Sequence, residues 1–410
     1  MNLSLFILFI VLTLIATRLV FRFKVSIWQI MLAGACAVLF TGQIKPLTAI
    51  QSINLDVMLF LFGVFVIGQA MEQSGYLAHV SYGLFARTKT IDGLLLTILF
   101  VIGGLSALLM NDTLAIIGTP VVLHLANKHQ LPPKALLLCL AFAVTIGSVV
   151  SPIGNPQNLL ISLQGGIDNS FVVFFKYLAI PTSINLVIAY LLIRIFYRKD
   201  FHSIPLTHFQ EPISDKGLAD LCKVSLIVLI ILILFKVITI YFNILENFKL
   251  TYIALISSLP LLIFSPQRFE VVKKIDWSTL VFFASMFVLM TSVWDSGLIK
   301  NILNNNFSDL HSVPAILTVS IFFSQLISNV PLVALYLPFL SESGLVENQL
   351  IALAVGSTVA GNLLIMGAAS NVIIIQKAES SAGETLGFLE FARIGIPLTL
   401  INIWVYWLFI

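Results

Sequence analysis

Leu108-Leu109-Met110-Asn111-Asp112-Thr113-Leu114-Ala115-Ile116-Ile117 sets three polar side chains, one of them a carboxylate, in the middle of an apolar run. How this stretch reads depends on the solvent around it, and composition identifies that solvent. Of 410 residues, 59% are hydrophobic, and only 22 are Lys or Arg and 19 Asp or Glu. A water-soluble chain of this length would carry roughly 100 charged residues. Mean hydropathy is +1.04, so the solvent is lipid. The length allows about ten spans of about 20 residues joined by short loops. In hydrocarbon, a carboxylate at a helix centre costs about 2.5 to 3.5 kcal/mol on insertion scales, so Asp112 must face a cavity or a partner.

Apolar runs on either side of this break, 94–110 and 113–125, predict a re-entrant hairpin over 94–127 with its tip at Asn111-Asp112-Thr113, because the second run is too short to cross a bilayer. A bland alternative makes these residues the N-cap of a helix beginning at Thr113, since Asn, Asp and Thr are all capping types. A second hairpin is expected over 313–340. Its tip is Ser328-Asn329-Val330-Pro331, with Pro331 at the first position of a new half-helix. Non-helical tips persist at membrane depth only where protein or a water-filled cavity satisfies their backbone groups.

The two halves of the chain echo each other. Asn111, Leu114 and Pro120 recur as Asn329, Leu332 and Pro338 at an offset of 218. Thr145, Gly154 and Asn158 recur as Thr358, Gly367 and Asn371 at 213, and Ser74-Gly75 as Ser296-Gly297 at 222. These spacings predict an internal duplication: a first repeat over 1–196, a polar cytoplasmic linker over 197–220, and a second repeat over 221–410. In each repeat a break rich in Gly, Pro and Asn interrupts a long span. One is Ser151-Pro152-Ile153-Gly154-Asn155-Pro156-Gln157-Asn158, in a broken helix over 135–165. The other is Gly361-Asn362 through Gly367-Ala368-Ala369-Ser370-Asn371, in a broken helix over 350–377. Such breaks free the carbonyls and amides that cation coordination and anion docking require.

Charge orients the chain. With a hairpin that enters and leaves on one side, each repeat has five crossings, and an odd number inverts the second repeat. If both termini lie outside, the cytoplasm receives Arg18, Arg22 and Lys24, Arg87 and Lys89, Lys128 and Lys134, Arg198, Lys199 and Lys216, and Arg268, Lys273 and Lys274. Lys45, Lys176, Lys249 and Lys300 then lie outside, each alone. That bias satisfies the positive-inside rule. The fold expected is an all-α polytopic membrane protein of two inverted repeats, the architecture of secondary transporters. The apolar run 3–21 is read as a retained first span, because its basic residues follow it instead of preceding it.

With these residues in view, the chain resembles, over essentially its whole length, the ion transporter superfamily that includes arsenite efflux permeases, citrate and dicarboxylate carriers and some sodium/proton antiporters. The resemblance rests on Asn111-Asp112 with Pro120, Ser328-Asn329 with Pro331, Gly154-Asn155 and Gly361-Asn362. The Asn-Asp tip is closer to the arsenite permease branch than to the dicarboxylate branch, whose two tips read Ser-Asn-Thr. Here the first tip lacks Ser, and Val330 replaces the Thr of the second. The resemblance implies a homodimer in which a scaffold from each repeat holds a transport domain that moves like an elevator.

The expected function is therefore secondary active transport of a small inorganic or organic anion or oxyacid, coupled to protons or sodium, in the cell membrane. Asn111, Thr113, Ser328 and Asn329, with Asn155 and Asn362 from the broken helices, are the expected substrate ligands. Asp112, Gly154, Asn158, Gly367 and Asn371 are the expected coupling-ion residues. No resident cofactor or metal is expected beyond sodium or a proton, and a net charge of +3 does not suggest nucleic acid as a partner. The runner-up is a sodium/proton antiporter, for which the Asn-Asp tip alone would suffice. An intramembrane enzyme is disfavoured because no second intramembrane Asp is placed to form a protease dyad with Asp112 and no Ser has a plausible histidine base. A primary pump is disfavoured because the chain has no G-x-x-x-x-G-K-[ST] loop, although an ATPase partner chain would leave no trace here. Asp56, Glu72, Asp276 and Asp295 are expected to cap helices at the interface. Cys36, Cys139 and Cys222 form no disulfide framework, and the six histidines show no metal-ligand spacing.

Overall fold

The computed structural model describes residues 3–17, 25–76, 79, 88, 90–167, 169–198, 213–241, 248–297, 310–342, 344, 346–383 and 386–410. Arg18, Arg22, Lys24, Arg87, Lys89, Lys199 and Lys300, and much of the expected linker, lie outside the described residues. Within them the chain is helical throughout, with no strand.

The first half contains α1 (Leu3–Thr17), α2 (Ile27–Phe40), a short α3 (Pro46–Ser52) and α4 (Leu55–Ser74). Next come α5 (Ile91–Leu109), which widens into a π segment at Ile98–Ile102, and α6 (Asn111–His129). The half closes with α7 (Pro133–Ser148), α8 (Pro156–Gln164) and α9 (Ser170–Phe196). The second half contains α10 (Lys216–Tyr241), α11 (Leu250–Phe264), α12 (Arg268–Lys274), α13 (Trp277–Asp295), α14 (Val313–Ile327) and α15 (Asn329–Glu342). It ends with α16 (Glu347–Val359), two 3-10 turns at Ala360–Asn362 and Ile365–Gly367, α17 (Ala369–Ala382) and α18 (Phe388–Trp407). Among the described residues, six helices are long and apolar enough to cross a membrane: α4, α5, α9, α13, α18 and the Lys216–Thr239 part of α10.

Local chemistry sets the boundaries. Asn54 caps α4 by accepting from the Val57 amide at 3.0 Å, and Asp276 caps α13 by accepting from Thr279 at 3.0 Å. These caps lie 222 residues apart, as do α3 and α12, and the Gly75 and Gly297 that close the capped helices, with φ +71 and +73. Among the expected interfacial carboxylates, Asp276 is thus a cap, whereas Asp56 instead pairs with Lys249 at 2.8 Å. Glu72 lies 3.9 Å from Lys377.

The arms around the first tip run further than the apolar runs suggested. After Leu125, α6 continues through Asn127, Lys128 and His129, whose basic side chains suit a helix C-terminus. It stops at Gln130, whose φ is +53. The linker is correspondingly shorter, since α10 begins at Lys216.

Packing exchanges partners between the halves: α4 lies along α11, and α13 along α2. The α4–α11 contact is close enough that a Cβ on Gly63 would sit 2.7 Å from the backbone of Ala254, as expected where small residues let membrane helices approach. Between α5 and α7, Gly103 and Gly147 stack backbone on backbone, and Ser106 Oγ donates to the Val144 carbonyl at 2.7 Å. Thr182 and Tyr406 share a 2.8 Å hydrogen bond between α9 and α18.

Candidate functional site

Each tip is a single residue in a rare backbone conformation. Met110, between α5 and α6, has φ +67 and ψ 141; Ser328, between α14 and α15, has φ +71 and ψ 159. They lie 218 residues apart and are two of the three non-glycine residues with positive φ among those described. Such conformations cost of order 1 to 3 kcal/mol each and persist only where the surroundings enforce them, most often at functional sites. Both turns restart the helix one residue on, at Asn111 and Asn329, and not at Thr113 or Pro331 as expected from the sequence.

This removes the capping reading of the first tip. The N-cap position belongs to Met110, which makes no side-chain cap bond, so Asn111, Asp112 and Thr113 occupy the first turn of α6. Asn111 and Asn329 are 5% and 6% exposed, and the buried Oδ1 of each has no hydrogen-bond partner among the described residues. An unpaired buried polar group costs about 1 to 3 kcal/mol.

The two tips meet in one partly enclosed cavity of about 310 Å³. Asn111 and Asp112 enter it from the first tip, and Ser328, Asn329 and Val330 from the second. Pro156 and Gln157 come from the start of α8, and Ala368, Ala369, Val372, Ile373 and Gln376 from the start and one face of α17. The far wall is Ser26 and Trp28 at the start of α2, with Asp276, Ser278, Thr279, Phe282 and Phe283 at the start of α13. No Lys or Arg lines the cavity among the described residues, whereas two carboxylates do. Asp276, read from the sequence only as a cap, lines the same space as Asp112.

Four of the expected site residues therefore converge: Asn111, Asp112, Ser328 and Asn329. Thr113 does not reach this cavity and lines a smaller one behind Asp112. Asn155, Asn158, Asn362 and Asn371 are fully or almost fully buried in the two broken helices beside the cavity. The Asn111 amide donates to the Gly154 carbonyl at 2.9 Å, which docks the first tip on the first break. Asn158 Nδ2 donates to the carbonyls of Ser148, Val149 and Ser151 at 3.1 to 3.3 Å. In the second half Asn371 Nδ2 donates to the Gly361 carbonyl at 2.6 Å. Ser148 and Gly361 stand at the same 213 offset as Asn158 and Asn371. One asparagine in each half thus satisfies a carbonyl released by the break.

Gly154 and Gly367 have no room for a side chain, since a Cβ would sit 2.3 Å from the Ser148 carbonyl and 2.5 Å from the Ala360 carbonyl respectively. Thr358 ties the first break to the second half. Its hydroxyl accepts from Asn155 Nδ2 at 3.2 Å and Gln157 Nε2 at 3.3 Å, and donates to Asn158 Oδ1 at 3.2 Å. Sequence reasoning missed Ser26, Trp28, Gln157, Asp276 and Gln376. The polar cluster Asp276-Trp277-Ser278-Thr279 at the start of a span was the one visible cue.

Two strained tips, two broken helices and a central polar cavity in an all-helical, multi-pass membrane chain define a membrane transporter by fold and site. The relatives agree. The chain belongs to the family described as "Citrate transporter", whose profile matches residues 7–349. The "46 kDa membrane protein" of Mycobacterium leprae is 27% identical over 372 residues, covering 86% of this chain and 84% of its own. The "Silicon efflux transporter LSI3" of Oryza sativa subsp. japonica is 26% identical over 90% of this chain and 89% of its own, and the "Putative transporter arsB" of Dictyostelium discoideum 23% identical over 90% and 84%. Among solved structures, the Alcanivorax borkumensis YdaH transporter superposes with a TM-score of 0.60 at 15% identity, covering 90% of this chain and 87% of that one. That likeness is one of fold. The family, the rice and Dictyostelium relatives and the Alcanivorax structure are described as transporters, not enzymes.

Proposed function

We propose that the protein is a secondary active transporter for a small, weakly charged oxyacid or anion, coupled to protons or sodium, and that its substrate sits between the two tips. The observation that carries this reading is the convergence of Asn111 and Asn329, each with an unpaired buried Oδ1, on one cavity lined by Asp112 and, among the described residues, by no Lys or Arg. An amide offers both a donor and an acceptor, which suits hydroxyl-bearing acids. A multiply charged anion entering beside two carboxylates would meet repulsion unless a cation accompanied it. The family description names citrate and the rice relative silicon; a weakly charged oxyacid suits the acidic lining better than a bare tricarboxylate.

Asp112 is the coupling group, neutralised by a proton or sodium before the loaded unit crosses. Asn111, Ser328 and Asn329 hold the substrate. Thr113, Asn155 and Asn362 support the tips from behind, and carbonyls near Gly154 and Gly367, ordered by Asn158 and Asn371, take part in cation binding. The recurring elements α2 to α9 and α11 to α18 are read as inverted repeats in a homodimer, with α4 and α13 in the scaffold and the tips and broken helices in the moving unit. By the charge rule both termini lie outside, and the cavity opens toward the cytoplasmic starts of α2 and α13.

The test is uptake of labelled arsenite, silicic acid and citrate into proteoliposomes under imposed proton or sodium gradients. Asp112→Asn should remove the gradient dependence while the protein still folds; unchanged coupling removes Asp112 from the mechanism. Sodium flux driven by pH with no solute movement would instead favour the antiporter.

A further inference from the structure

On the face of the second half away from the tips, α14 and α18 leave a groove of about 410 Å³ between them. Its mouth lies between Pro314, in the first turn of α14, and Trp407, at the end of α18. Two hydrogen bonds show that helices end together at this mouth. Gln349 Nε2 donates to the His311 carbonyl at 2.9 Å and Asn348 Nδ2 to the Ile410 carbonyl at 2.8 Å, which sets the starts of α14 and α16 level with the end of α18. Trp404 and Trp407 mark that level as the membrane boundary, where aromatic rings collect. The inner end is closed by Leu363, which stands between the two 3-10 turns of the second break.

We propose that this groove binds one acyl chain of a membrane phospholipid, lodged lengthwise, and that the chain braces α14 and α18 around the second break. Continuity with the lipid-facing surface identifies the occupant. Phe322 on one wall, and Leu400 and Trp404 on the other, are each more than half exposed, so the groove opens on hydrocarbon. Dimensions agree. From Pro314 to Phe322, α14 rises about 12 Å at about 1.5 Å per residue. One leaflet offers about 15 Å of hydrocarbon, half of a core about 30 Å thick. A cavity of about 150 Å³ holds benzene, so this one has room for a chain of on the order of ten carbons or more. A second helix would pack differently, because close approach in a membrane calls for small residues, and among the described residues no Gly, Ala or Ser lines the groove. Its two threonines present little polarity: Thr318 donates its hydroxyl to the Pro314 carbonyl at 2.8 Å, and Thr399 Oγ1 is buried.

Both walls also grip the second break. Gln325 Nε2, from α14, donates to the Ala360 carbonyl at 2.7 Å. Gly395, from α18, lies so close to the Asn362 carbonyl that a Cβ there would stand at 2.2 Å. The spacing of α14 and α18 therefore fixes the break, and an empty groove would leave the atoms of both walls without dispersion partners. A chain in the groove supplies those contacts, and its headgroup lies beside Trp407.

The experiment is native mass spectrometry of the purified full-length protein, reconstituted in dioleoylphosphatidylcholine vesicles and re-extracted in detergent that strips loosely held lipid. Thr318→Trp and Leu400→Trp, one on each wall, fill the groove with an indole from exposed positions. Ile231→Trp puts the same ring on the exposed surface of α10 as a control. Expected is a retained phospholipid on each wild-type and Ile231→Trp chain that is lost from both groove variants. The thermal midpoint in lipid-free detergent should rise when the phospholipid is added back to the wild type and stay unmoved in the groove variants. No retained lipid on the wild type, no rise on add-back, or the same lipid kept by both groove variants overturns the proposal. A dimer that survives stripping without lipid and dissociates in both groove variants also overturns it, by assigning the groove to a second copy. Retention and add-back on the wild type decide the matter if the groove variants fail to fold. The proposal requires only that the chain is a membrane protein, so its failure leaves the transport reading standing.

Discussion

The crossing of α5 and α7 carries the first tip, and glycine substitutions there separate packing from propensity. A Cβ on Gly147 would stand 2.2 Å from the Gly103 carbonyl oxygen, 2.3 Å from its Cα and 2.5 Å from its carbonyl carbon. All three are backbone atoms, so no side chain can swing aside, and α5 and α7 must part by about 1 Å to restore ordinary contact. That movement would break the 2.7 Å bond from Ser106 Oγ to the Val144 carbonyl, one turn away. Overpacking costs about 1 to 3 kcal/mol, and a lost buried hydrogen bond adds about 1. Gly147→Ala should therefore destabilise the protein by about 2 to 4 kcal/mol.

The partner glycine behaves differently. A Cβ on Gly103 meets its nearest neighbours at 3.3 to 3.6 Å, and one on Gly104 meets nothing within 4 Å. Alanine in a helix interior is favoured over glycine by up to about 1 kcal/mol, so Gly103→Ala should be near neutral and Gly104→Ala neutral or mildly stabilising. Thermal unfolding of the three purified variants in one detergent gives the ranking directly. Equal losses at Gly103 and Gly147, or no loss at Gly147, would refute the reasoning.

Two further outcomes follow from the hydrogen bonds. Asn158→Ala removes four hydrogen bonds, three to carbonyls and one from the Thr358 hydroxyl, whereas Asn371→Ala removes only the one to the Gly361 carbonyl. The first should cost about 2 to 4 kcal/mol and the second about 1 to 2, measured as a shift in the thermal midpoint. At the membrane surface, the hydrogen bond and charge of Asp56 raise the Lys249 ammonium above its usual pKa. A raised lysine pKa contributes below the unfolded value and is lost as pH rises through the folded one. The pair should therefore be intact at neutral pH and weaken only in strongly alkaline buffer. As an exposed contact it contributes little, so Lys249→Ala should leave the midpoint at pH 7 unchanged within error.

How much of this was legible in the sequence differs from feature to feature. Apolar runs and their polar interruptions located both tips and both broken helices, because a helix broken in hydrocarbon must announce itself by Gly, Pro or Asn. Of the residues that recur at fixed offsets, Asn111 and Asn329 each open a helix after a positive-φ residue, and Asn158 and Asn371 each donate a side-chain amide to a carbonyl of the break. What periodicity could not supply was which helix ends converge. Asp276 and Trp28 reach the cavity because α13 packs along α2, a contact between residues some 250 apart in the chain that leaves no local mark. The strain at Met110 and Ser328 was equally silent, since neither is a glycine and the φ is imposed by tertiary packing. Capping chemistry even misled, because Asn-Asp-Thr is a good cap sequence that the turn at Met110 places one residue too late to serve as one.

The two halves satisfy their breaks unequally, and that inequality bears on how labour is divided between them. In the first break, Asn155, Gln157 and Asn158 all close on the Thr358 hydroxyl. Among the described residues the equivalent hydroxyl, Thr145, has no partner, nor do Ser370 Oγ, Asn371 Oδ1 or either polar atom of Asn362. At about 1 to 3 kcal/mol apiece, five such atoms would cost an amount comparable to the whole net stability of a typical folded protein, 5 to 15 kcal/mol. Ordered water or a polar guest satisfies a break of that kind. The first half thus carries the titratable group, Asp112, on a break already satisfied by protein. The second half, with Val330 where a carboxylate would need to stand, offers unsatisfied amides and hydroxyls instead. Substitutions that fill the second break with apolar atoms of similar size, such as Thr145→Val, should then stabilise the protein while impairing transport, a combination the mirror change at Thr358 would not produce.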